Sequence, residues 1–325
     1  MLLLTRDDVR QVLNMAEGME AVEKAFAEMA GGTAVLPPRI NLNTPDGVGL
    51  YMPAYLKESG ALACKVVTSY KENPARHTLP TILGKVLLQD PATGDVVCIM
   101  DGEYLTAVRT GAASGVATKY LARRDRVQTA GIFGAGVQAR AQLRAMVIAR
   151  DIARACVYSR RQESADRFIT EMSSELNLEI VQADSPGQVL EKADIICTAT
   201  SSPTPVFDGT LVREGTHING VGSHAPDVRE LDTAIIQRAR IVADSYAACL
   251  SEAGDIMIPI REGAIDRRHL SAELGEIITG RRPPRRNDRE ISLFKSNGLA
   301  IQDAATAKLV YDKAIQAGMG TEVRL

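Results

Sequence analysis

A glycine-rich turn carries the clearest chemistry in this sequence. The run Val127–Ala139 reads VQTAGIFGAGVQA, so an apolar, strand-like stretch leads into Gly134-x-Gly136-x-x-Ala139 and then into a helical pattern. This order suits a dinucleotide pyrophosphate, which needs a tight turn, bare backbone and a close-packed helix whose free N–H groups face the phosphates. The alternative is a glycine-rich turn that binds nothing.

The form of the cofactor depends on the end of the second strand in this region. NAD sites usually carry an Asp or Glu there, which bonds the ribose 2′-hydroxyl. This chain instead reads Val157-Tyr-Ser159-Arg160-Arg161, without a carboxylate. We favour NADP(H), because Ser159 and one of the two arginines can bind a 2′-phosphate. The alternative is NAD(H) with a hydroxyl contact, the arginines being ordinary surface residues.

Strand-like and helical runs alternate from Val127 to about Ser245, a pattern typical of a doubly wound parallel α/β sheet. The strands are predicted at Ala130–Phe133, Ala155–Ser159, Ile195–Ala199, Ile218–Val221 and Ile241–Ala243, with helices near Val137–Ala149 and Glu163–Leu176. The sequence therefore predicts a Rossmann domain around the glycine-rich turn.

The preceding region has a different pattern and predicts an α+β domain. Its strand-like runs follow one another without long helices: Arg39–Asn43, Gly49–Tyr55, Ala61–Tyr70, Ile82–Gln89 and Val96–Met100. The segment Asp90–Gly94 has the Pro and Gly of a hairpin turn.

Helices are predicted near both ends of the chain and at the start of the nucleotide-binding region. The first two lie near Arg6–Leu13, with Thr5 as its cap, and Gly18–Met29. Another, near Thr110–Ala122, leads into the nucleotide-binding region. The last segment, Gly298–Gly318, has apolar residues at helical spacing and can pack on either domain.

Composition narrows the class of protein. The chain has 325 residues, 45% of them hydrophobic, and a formal net charge of −2, so it can bury a large core and form two domains. The basic run Arg281–Arg286 is short and interrupted by prolines, which predicts a solvated loop and no nucleic-acid site. The first eight residues resemble neither a signal peptide nor a membrane anchor, so a cytoplasmic location is the default expectation.

The cysteines and histidines do not indicate a metal site. Five cysteines are widely spaced, without a Cys-x-x-Cys pair, and most lie in apolar runs, so we expect buried thiols. The four histidines have no His-x-x-x-His spacing, which gives a zinc site little support.

Several blocks of sequence together resemble the ornithine cyclodeaminase/μ-crystallin family over nearly the whole chain. They are Pro38-Arg39, Cys64-Lys65-Val-Val, Val108-Arg109-Thr110-Gly-Ala, Gly134–Ala139, Gly222–Asp232, Glu273-Leu-Gly-Glu276 and Phe294-Lys-Ser-x-Gly298. This family includes ornithine and lysine cyclodeaminases, archaeal-type alanine dehydrogenases, and reductases of ketimines or cyclic imino acids.

The resemblance implies how the chain is divided. Residues 1–115 and 299–325 would form a substrate-binding and dimerisation domain, and residues 116–298 the Rossmann domain. It also implies a homodimer formed through the substrate domains, with a small imino or amino acid as the substrate. No nucleic acid and no membrane are expected as partners.

The resemblance also assigns roles to three cations, and chemistry supports them. An α-imino acid carries a carboxylate beside the carbon that exchanges hydride, so its site needs fixed cations and a proton donor for nitrogen. Arg39 and Arg109 are expected to hold the carboxylate, and Lys65 to act as acid or base. The alternatives are that Arg39 is an ordinary surface residue and that Arg109 caps a helix.

Further site residues are placed by the same resemblance. Those expected near the substrate or nicotinamide are Thr81, His224, Asp227 and Lys295. Those expected to bind the cofactor are Thr110, Gly134, Ala135, Gly136, Val137, Gln138, Ser159, Arg160, Thr200, Val221, Gly222 and Ser223.

Two departures from the cyclodeaminase pattern indicate which reaction this chain catalyses. His224 stands where cyclodeaminases place an Asp that handles the distal amine, and a histidine does not attract an ammonium in that way. Lys295 stands where they commonly have another Asp. Both favour reduction or dehydrogenation. The alternatives are that His224 only packs in a loop, and that Lys295 is a solvated residue before the last helix.

The predicted function is an NAD(P)H-dependent reductase of a small α-imino acid, which in reverse is an L-amino-acid dehydrogenase. One alternative is an ornithine cyclodeaminase that uses NAD⁺ catalytically. Another is a crystallin-like binding protein that turns over slowly.

Overall fold

The computed structural model describes residues 1–124 and 128–324. The chain divides into two compact units, one made of Met1–Arg109 with Leu299–Leu325 and the other of Thr110–Gly298. The first unit therefore takes its residues from both ends of the chain. Val127, with which the predicted Rossmann region begins, lies outside the described residues.

The amino-terminal part of the first unit consists of strands with a few helices. The strands are β1 (Leu2–Leu4), β2 (Ala34–Val35), β3 (Ile40–Thr44), β4 (Gly47–Leu56), β5 (Ala61–Ser69), β6 (Ile82–Gln89) and β7 (Val96–Asp101). The helices are α1 (Arg6–Val12), α2 (Met15–Gly31), α3 (Asn73–Arg76) and the first part of α4 (Gly102–Leu121), which belongs to the second unit from Thr110 onward. Thr5 caps α1 in a reciprocal capping box with Asp8, so the predicted cap is confirmed.

The second unit alternates strands and helices. Its strands are β8 (Gln128–Phe133), β9 (Ile152–Tyr158), β10 (Glu179–Gln182), β11 (Ile195–Thr198), β12 (His217–Gly220), β13 (Arg240–Ala243), β14 (Leu270–Glu273) and β15 (Ser292–Lys295). Its α-helices are α5 (Val137–Ala149), α6 (Gln162–Leu176), α7 (Pro186–Lys192), α8 (Thr233–Arg238), α9 (Tyr246–Glu252), α10 (Gly254–Arg261) and α11 (Leu274–Ile278). After this unit, α12 (Ala300–Ala317) and β16 (Thr321–Glu322) complete the first unit.

The sheet of the first unit has the order β16-β1-β7-β6-β5-β4-β2, with β3 paired to β4. From β4 to β7 the strands are antiparallel, and the predicted hairpin at Asp90–Gly94 joins β6 to β7. The last helix, α12, packs on β4, β5 and α2. The question of where this helix packs, which the sequence leaves open, is therefore decided in favour of the first unit.

The sheet of the second unit is parallel throughout, in the order β10-β9-β8-β11-β12-β15-β13-β14. Its two faces are covered by separate apolar clusters, one around Phe168 and Met172 and the other around Ile235 and Ile256. The chain reverses direction across the sheet between β8 and β11, and open α/β sheets bind ligands at such a switch point. The predicted Rossmann class is confirmed.

Several elements differ from the prediction. The sequence pattern missed the four-residue strands β10, β14 and β15, although it found β11, β12 and β13, which are equally short. The basic run Arg281–Arg286 is not uniformly solvated, since Arg285 is half-buried and donates to the main-chain oxygen of Leu121 at 2.6 Å. A guanidinium with several donors satisfies carbonyl groups that the loop would otherwise leave unpaired.

Candidate active site

Lys65 lies in the middle of β5, an interior strand of the first unit's sheet that pairs with β4 and β6. Its strand neighbours Ala61 and Ala63 are buried on the same face, because alternate residues of a strand share a face. The lysine side chain is only 2% exposed, and its Nζ lies 2.8 Å from the Oδ2 atom of Asp303. A charged group at this depth needs such a partner, because an unpaired buried charge is very costly.

Arg109 shares that carboxylate. It lies on α4, and its Nε donates to the Oδ1 atom of Asp303 at 2.9 Å, while its Nη1 donates to the Oε1 atom of Gln302 at 2.7 Å. Both acceptors are in the first turn of α12. We call Lys65, Arg109, Gln302 and Asp303 the Lys65 cluster. All four side chains are buried.

The electrostatic surroundings of Lys65 favour loss of its proton. Burial and the charge of Arg109 lower the pKa of Lys65 to about 8, even though Asp303 acts in the opposite direction. The charge of Arg39, which is half-buried, also lowers this pKa. Lys65 and Arg109 thus share one buried carboxylate, and Arg39 adds to the positive charge around Lys65, which suits an anionic ligand such as a substrate carboxylate.

Asp303 and Gln302 are not among the predicted site residues. The sequence does contain a weak signal, since they are the two large polar residues in the otherwise small or apolar run Gly298–Ala307. Asp303 and Lys65 are separated by 238 positions in the chain, so no local pattern connects them. Thr81 is half-buried, and its main-chain oxygen accepts from Tyr70 at 2.8 Å. Its contact with substrate stays a prediction.

The glycine turn of the second unit has the geometry that a pyrophosphate needs. Gly134 has φ +102°, and a Cβ there would lie 2.5 Å from the main-chain oxygen of Ala199. Gly136 begins α5 without a side-chain cap, and among the described residues a Cβ there would have no neighbour within 4 Å. Ala139 is fully buried. The turn therefore leaves bare backbone and free helix N–H groups facing open space, and a dinucleotide fits it.

Other predicted cofactor residues in the second unit lie on α4, at the start of α5 and after β9. Val137 is 68% exposed, and Gln138 follows it at the start of α5. Thr110 is buried on α4, where its main-chain oxygen accepts from Gln142 of α5 at 3.2 Å. After β9, Ser159 is half-buried and Arg160 is exposed. Their roles in binding stay predictions, as does the role of Ala135.

One buried carboxylate joins the loops that follow β11 and β12. Glu230 accepts hydrogen bonds from the main-chain N–H groups of Thr200, at 2.6 Å, and Gly222, at 2.7 Å. Both loops contain predicted cofactor residues, among them Val221 and Ser223. Glu230 itself is not among the predicted site residues, although it lies within the family block Gly222–Asp232.

His224 and Asp227 are exposed in the loop after β12. Asp227 lies 3.4 Å from the guanidinium of Arg261, and nothing in this contact replaces the cyclodeaminase carboxylate.

Lys295 does not lie in solvent before the last helix. Its side chain is fully buried, so the interpretation as a solvated residue is wrong. Its Nζ lies 2.9 Å from the Oδ2 atom of Asp255 and donates to the main-chain oxygen of Ser223 at 2.6 Å. Lys295 therefore fixes the position of the loop around Ser223 through this hydrogen bond. Its predicted nearness to the nicotinamide stays a prediction.

Within the described part of the chain, no group of three or more His, Cys, Asp or Glu side chains is arranged to hold a metal ion. The same residues include no helix with the length and apolar character needed to cross a membrane.

A sequence profile of the ornithine cyclodeaminase/mu-crystallin family matches residues 1–318. The chain belongs to this family. Alanine dehydrogenase of Archaeoglobus fulgidus is 37% identical over 323 residues, which cover 99% of this chain and 98% of that protein. The predicted resemblance is confirmed.

Two solved structures of similar proteins show the same fold. Thermococcus litoralis Delta(1)-pyrroline-2-carboxylate reductase, in complex with NADH and L-proline, is 50% identical, with a TM-score of 0.96 over 99% of this chain and 100% of that one. An archaeal alanine dehydrogenase dimer with bound NAD is 36% identical, with a TM-score of 0.94 over 100% of this chain and 99% of that one.

Proposed function

We propose that this family member is a nicotinamide-dependent reductase of small α-imino acids, which in reverse oxidises L-amino acids. The observation that carries the proposal is the Lys65 cluster, in which a buried lysine and Arg109 share one carboxylate. The similar proteins named above, a pyrroline-2-carboxylate reductase and alanine dehydrogenases, support the same class of reaction.

In the proposed mechanism, the residues of the first unit bind the substrate and move its proton. Arg109 and Arg39 hold the carboxylate, and the guanidinium forks keep the imine carbon in a fixed orientation. The nicotinamide cofactor, when bound, supplies the hydride for the α-carbon. Lys65 gives a proton to the imine nitrogen and becomes a neutral amine, which solvent then protonates again.

Asp303 has a place in this cycle. It keeps Lys65 and Arg109 side by side, although their like charges repel each other. When the substrate carboxylate binds, its negative charge raises the pKa of Lys65, because an opposite charge nearby favours the ammonium form. Binding of the substrate thus favours the protonated form of Lys65, whose proton the reduction then consumes.

We also propose that the enzyme accepts NADPH, in preference to NADH. The end of β9 has no carboxylate to repel a 2′-phosphate, and Ser159 with the exposed Arg160 provides a donor and a cation there. The test is kcat/KM for both dinucleotides in wild type and Arg160→Ala, with Arg167→Ala on α6 as the control. A loss of about tenfold for NADPH alone supports this assignment. Equal losses for both dinucleotides contradict it.

We also propose that the protein forms a homodimer through its first unit. The strand β3 is exposed along its length, including Ile40 at 56% and Leu42 at 52%, and Tyr51 beside it is 37% exposed. Adjacent apolar side chains on an exposed strand mark a surface that a partner covers. Light scattering should give twice the chain mass for wild type. Ile40→Asp should give monomers, and Lys71→Asp should leave the dimer intact.

The test of the proposed reaction is a panel of substrates. Pyrroline-2-carboxylate, piperideine-2-carboxylate, iminosuccinate, and pyruvate with ammonium are each incubated with NADH and NADPH, and oxidation of the cofactor is followed. Turnover of at least one imino acid is expected. Conversion of ornithine to proline and ammonia, without net change of the cofactor, would instead identify a cyclodeaminase. Binding of dinucleotide without turnover of either kind would identify a binding protein.

A further inference from the structure

The side chain of Glu230 is completely buried and lies at the carboxyl edge of the Rossmann sheet. One carboxylate oxygen accepts from Thr200 N and the other from Gly222 N. Thr200 follows β11, and Gly222 follows β12, so a single side chain bridges the loops after two neighbouring parallel strands. In such sheets this edge is where ligands bind.

The fit on the Gly222 side is close. A Cβ at Gly222 would lie 2.4 Å from the carboxyl carbon of Glu230, so only glycine allows the carboxylate to reach the main chain there. Gly222 N also donates to the main-chain oxygen of Thr198 at 3.2 Å, and Glu230 is the nearer acceptor.

On the other side, Glu230 is linked to the glycine turn through Thr200. A Cβ at Gly134 would lie 3.3 Å from the Cγ2 atom of Thr200 and 2.5 Å from the main-chain oxygen of Ala199. The loop that Glu230 holds is therefore the wall against which the turn of the pyrophosphate site packs. A shift of Thr200 changes the space available to that turn.

Glu230 is itself held by a second carboxylate, which pairs with a buried lysine. Asp255 accepts from the main-chain N–H of Glu230 at 2.8 Å and pairs with Lys295. Lys295 in turn donates to the main-chain oxygens of Gly220 and Ser223, at 3.3 and 2.6 Å. The segment from Gly220 to Ser223 is thus fixed from two directions, by Glu230 at its N–H and by Lys295 at its carbonyl groups.

We propose that Glu230 is a positioning residue for the dinucleotide, which sets the spacing of the loops after β11 and β12 through its two hydrogen bonds. This inference rests on the proposed function, since it assumes that the glycine turn binds a dinucleotide. Glu230 does not need to touch the cofactor. Its carboxylate has two acceptor oxygens for two N–H groups, and replacement by an amide leaves one N–H facing an NH₂ group.

The decisive variant is Glu230→Gln, which keeps the shape and removes one acceptor. NADH and NADPH are titrated into the substrate-free protein, and binding is measured by nucleotide fluorescence. The dissociation constant should rise about tenfold or more, because a buried N–H loses its charge-assisted partner. The control is Glu191→Gln, an exposed residue on α7 of the same unit, which should bind like wild type.

The test separates a positioning role from a merely structural one. If Glu230 only stabilised the fold, Glu230→Gln would melt at a lower temperature, but its folded form would bind dinucleotide with the wild-type constant. A dissociation constant within about twofold of wild type overturns the proposal. The KM for the imino acid, measured at saturating dinucleotide, should stay within about threefold, since the Lys65 cluster belongs to the other unit.

A second variant tests the same contact from the loop. Gly222→Ala places a methyl group where the carboxylate lies, so it should weaken dinucleotide binding as Glu230→Gln does. Combining both changes should cost less than the product of the single effects, because they break one contact. Failure of the proposed function is distinguishable, since wild type itself would then bind no nicotinamide dinucleotide.

Discussion

Each unit of this protein buries a lysine–aspartate pair, and the two pairs differ in their surroundings. Lys65 and Asp303 lie 2.8 Å apart in the first unit, and Lys295 and Asp255 lie 2.9 Å apart in the second. Beside Lys65 are the cations Arg109 and Arg39, so burial and these charges lower its pKa to about 8. Burial alone would also lower the pKa of Lys295, but Asp255, with Cys249 and Glu230, raises it.

The difference shows that burial of a lysine does not by itself make it reactive. An excess of positive charge leaves Lys65 able to release its proton near neutral pH, which is what an acid–base group needs. An excess of carboxylates keeps Lys295 charged, and its donors are directed to main-chain oxygens. We therefore propose that Lys65 transfers the proton and that Lys295 supports the loop.

The largest effect is expected for Lys65→Ala. Loss of the proton donor should reduce kcat for imine reduction by about 10²- to 10⁴-fold, the usual contribution of a general acid. Dinucleotide affinity, measured by fluorescence titration, should not change. Lys57→Ala, an exposed lysine after β4, serves as the control and should keep wild-type kcat. Nearly full turnover by Lys65→Ala would remove Lys65 from the mechanism.

Substitution of Lys295 should lower the free energy of unfolding more than substitution of Lys65, although Lys65 matters more for kcat. Lys295→Met leaves Asp255 without its cation in a fully buried position, which should lower the free energy of unfolding by about 3–5 kcal/mol. Lys65→Met should cost less, because Arg109 still pairs with Asp303.

Urea denaturation of both variants checks this order, with Lys192→Met on the surface of α7 as the control. The contrast between the two pairs fails if Lys65→Met proves the more destabilising variant.

The pH dependence provides a smaller but more specific test. Imine reduction needs protonated Lys65, so kcat/KM for the imino acid should fall as the pH rises through about 8, while amino-acid oxidation needs the neutral lysine and should rise over the same range. Asp303 raises the pKa of Lys65. In Asp303→Asn both transitions should therefore move to lower pH, by about 1–3 units.

The matched control is Asp312→Asn, which lies on the same helix and pairs with the half-buried Lys308. Its transitions should coincide with those of wild type. If Asp303→Asn has an unshifted profile with the same substrate, a group other than Lys65 controls the proton.

The elements around the glycine turn could be predicted because their signals are local. The strand ending at Phe133, the turn at Gly134 and the helix from Val137 need only periodicity and glycine chemistry, and the structure has them at these positions. The cap at Thr5 is equally local, since its partner Asp8 is three residues away. Strands of four residues are at the limit of this signal, since β11, β12 and β13 were predicted whereas β10, β14 and β15 were missed.

The sequence by itself determined the Rossmann class, the family and the three cations that qualify for substrate binding, since residue types and short spacings carry that information. Only the tertiary structure decided which charges meet. Asp303 comes to Lys65 from 238 positions away because α12 packs on β5, and Lys295 proved buried because Asp255 and the Gly220–Ser223 loop enclose it. The proton affinity of a lysine depends on its neighbours in space, and the order of residues along the chain does not contain them.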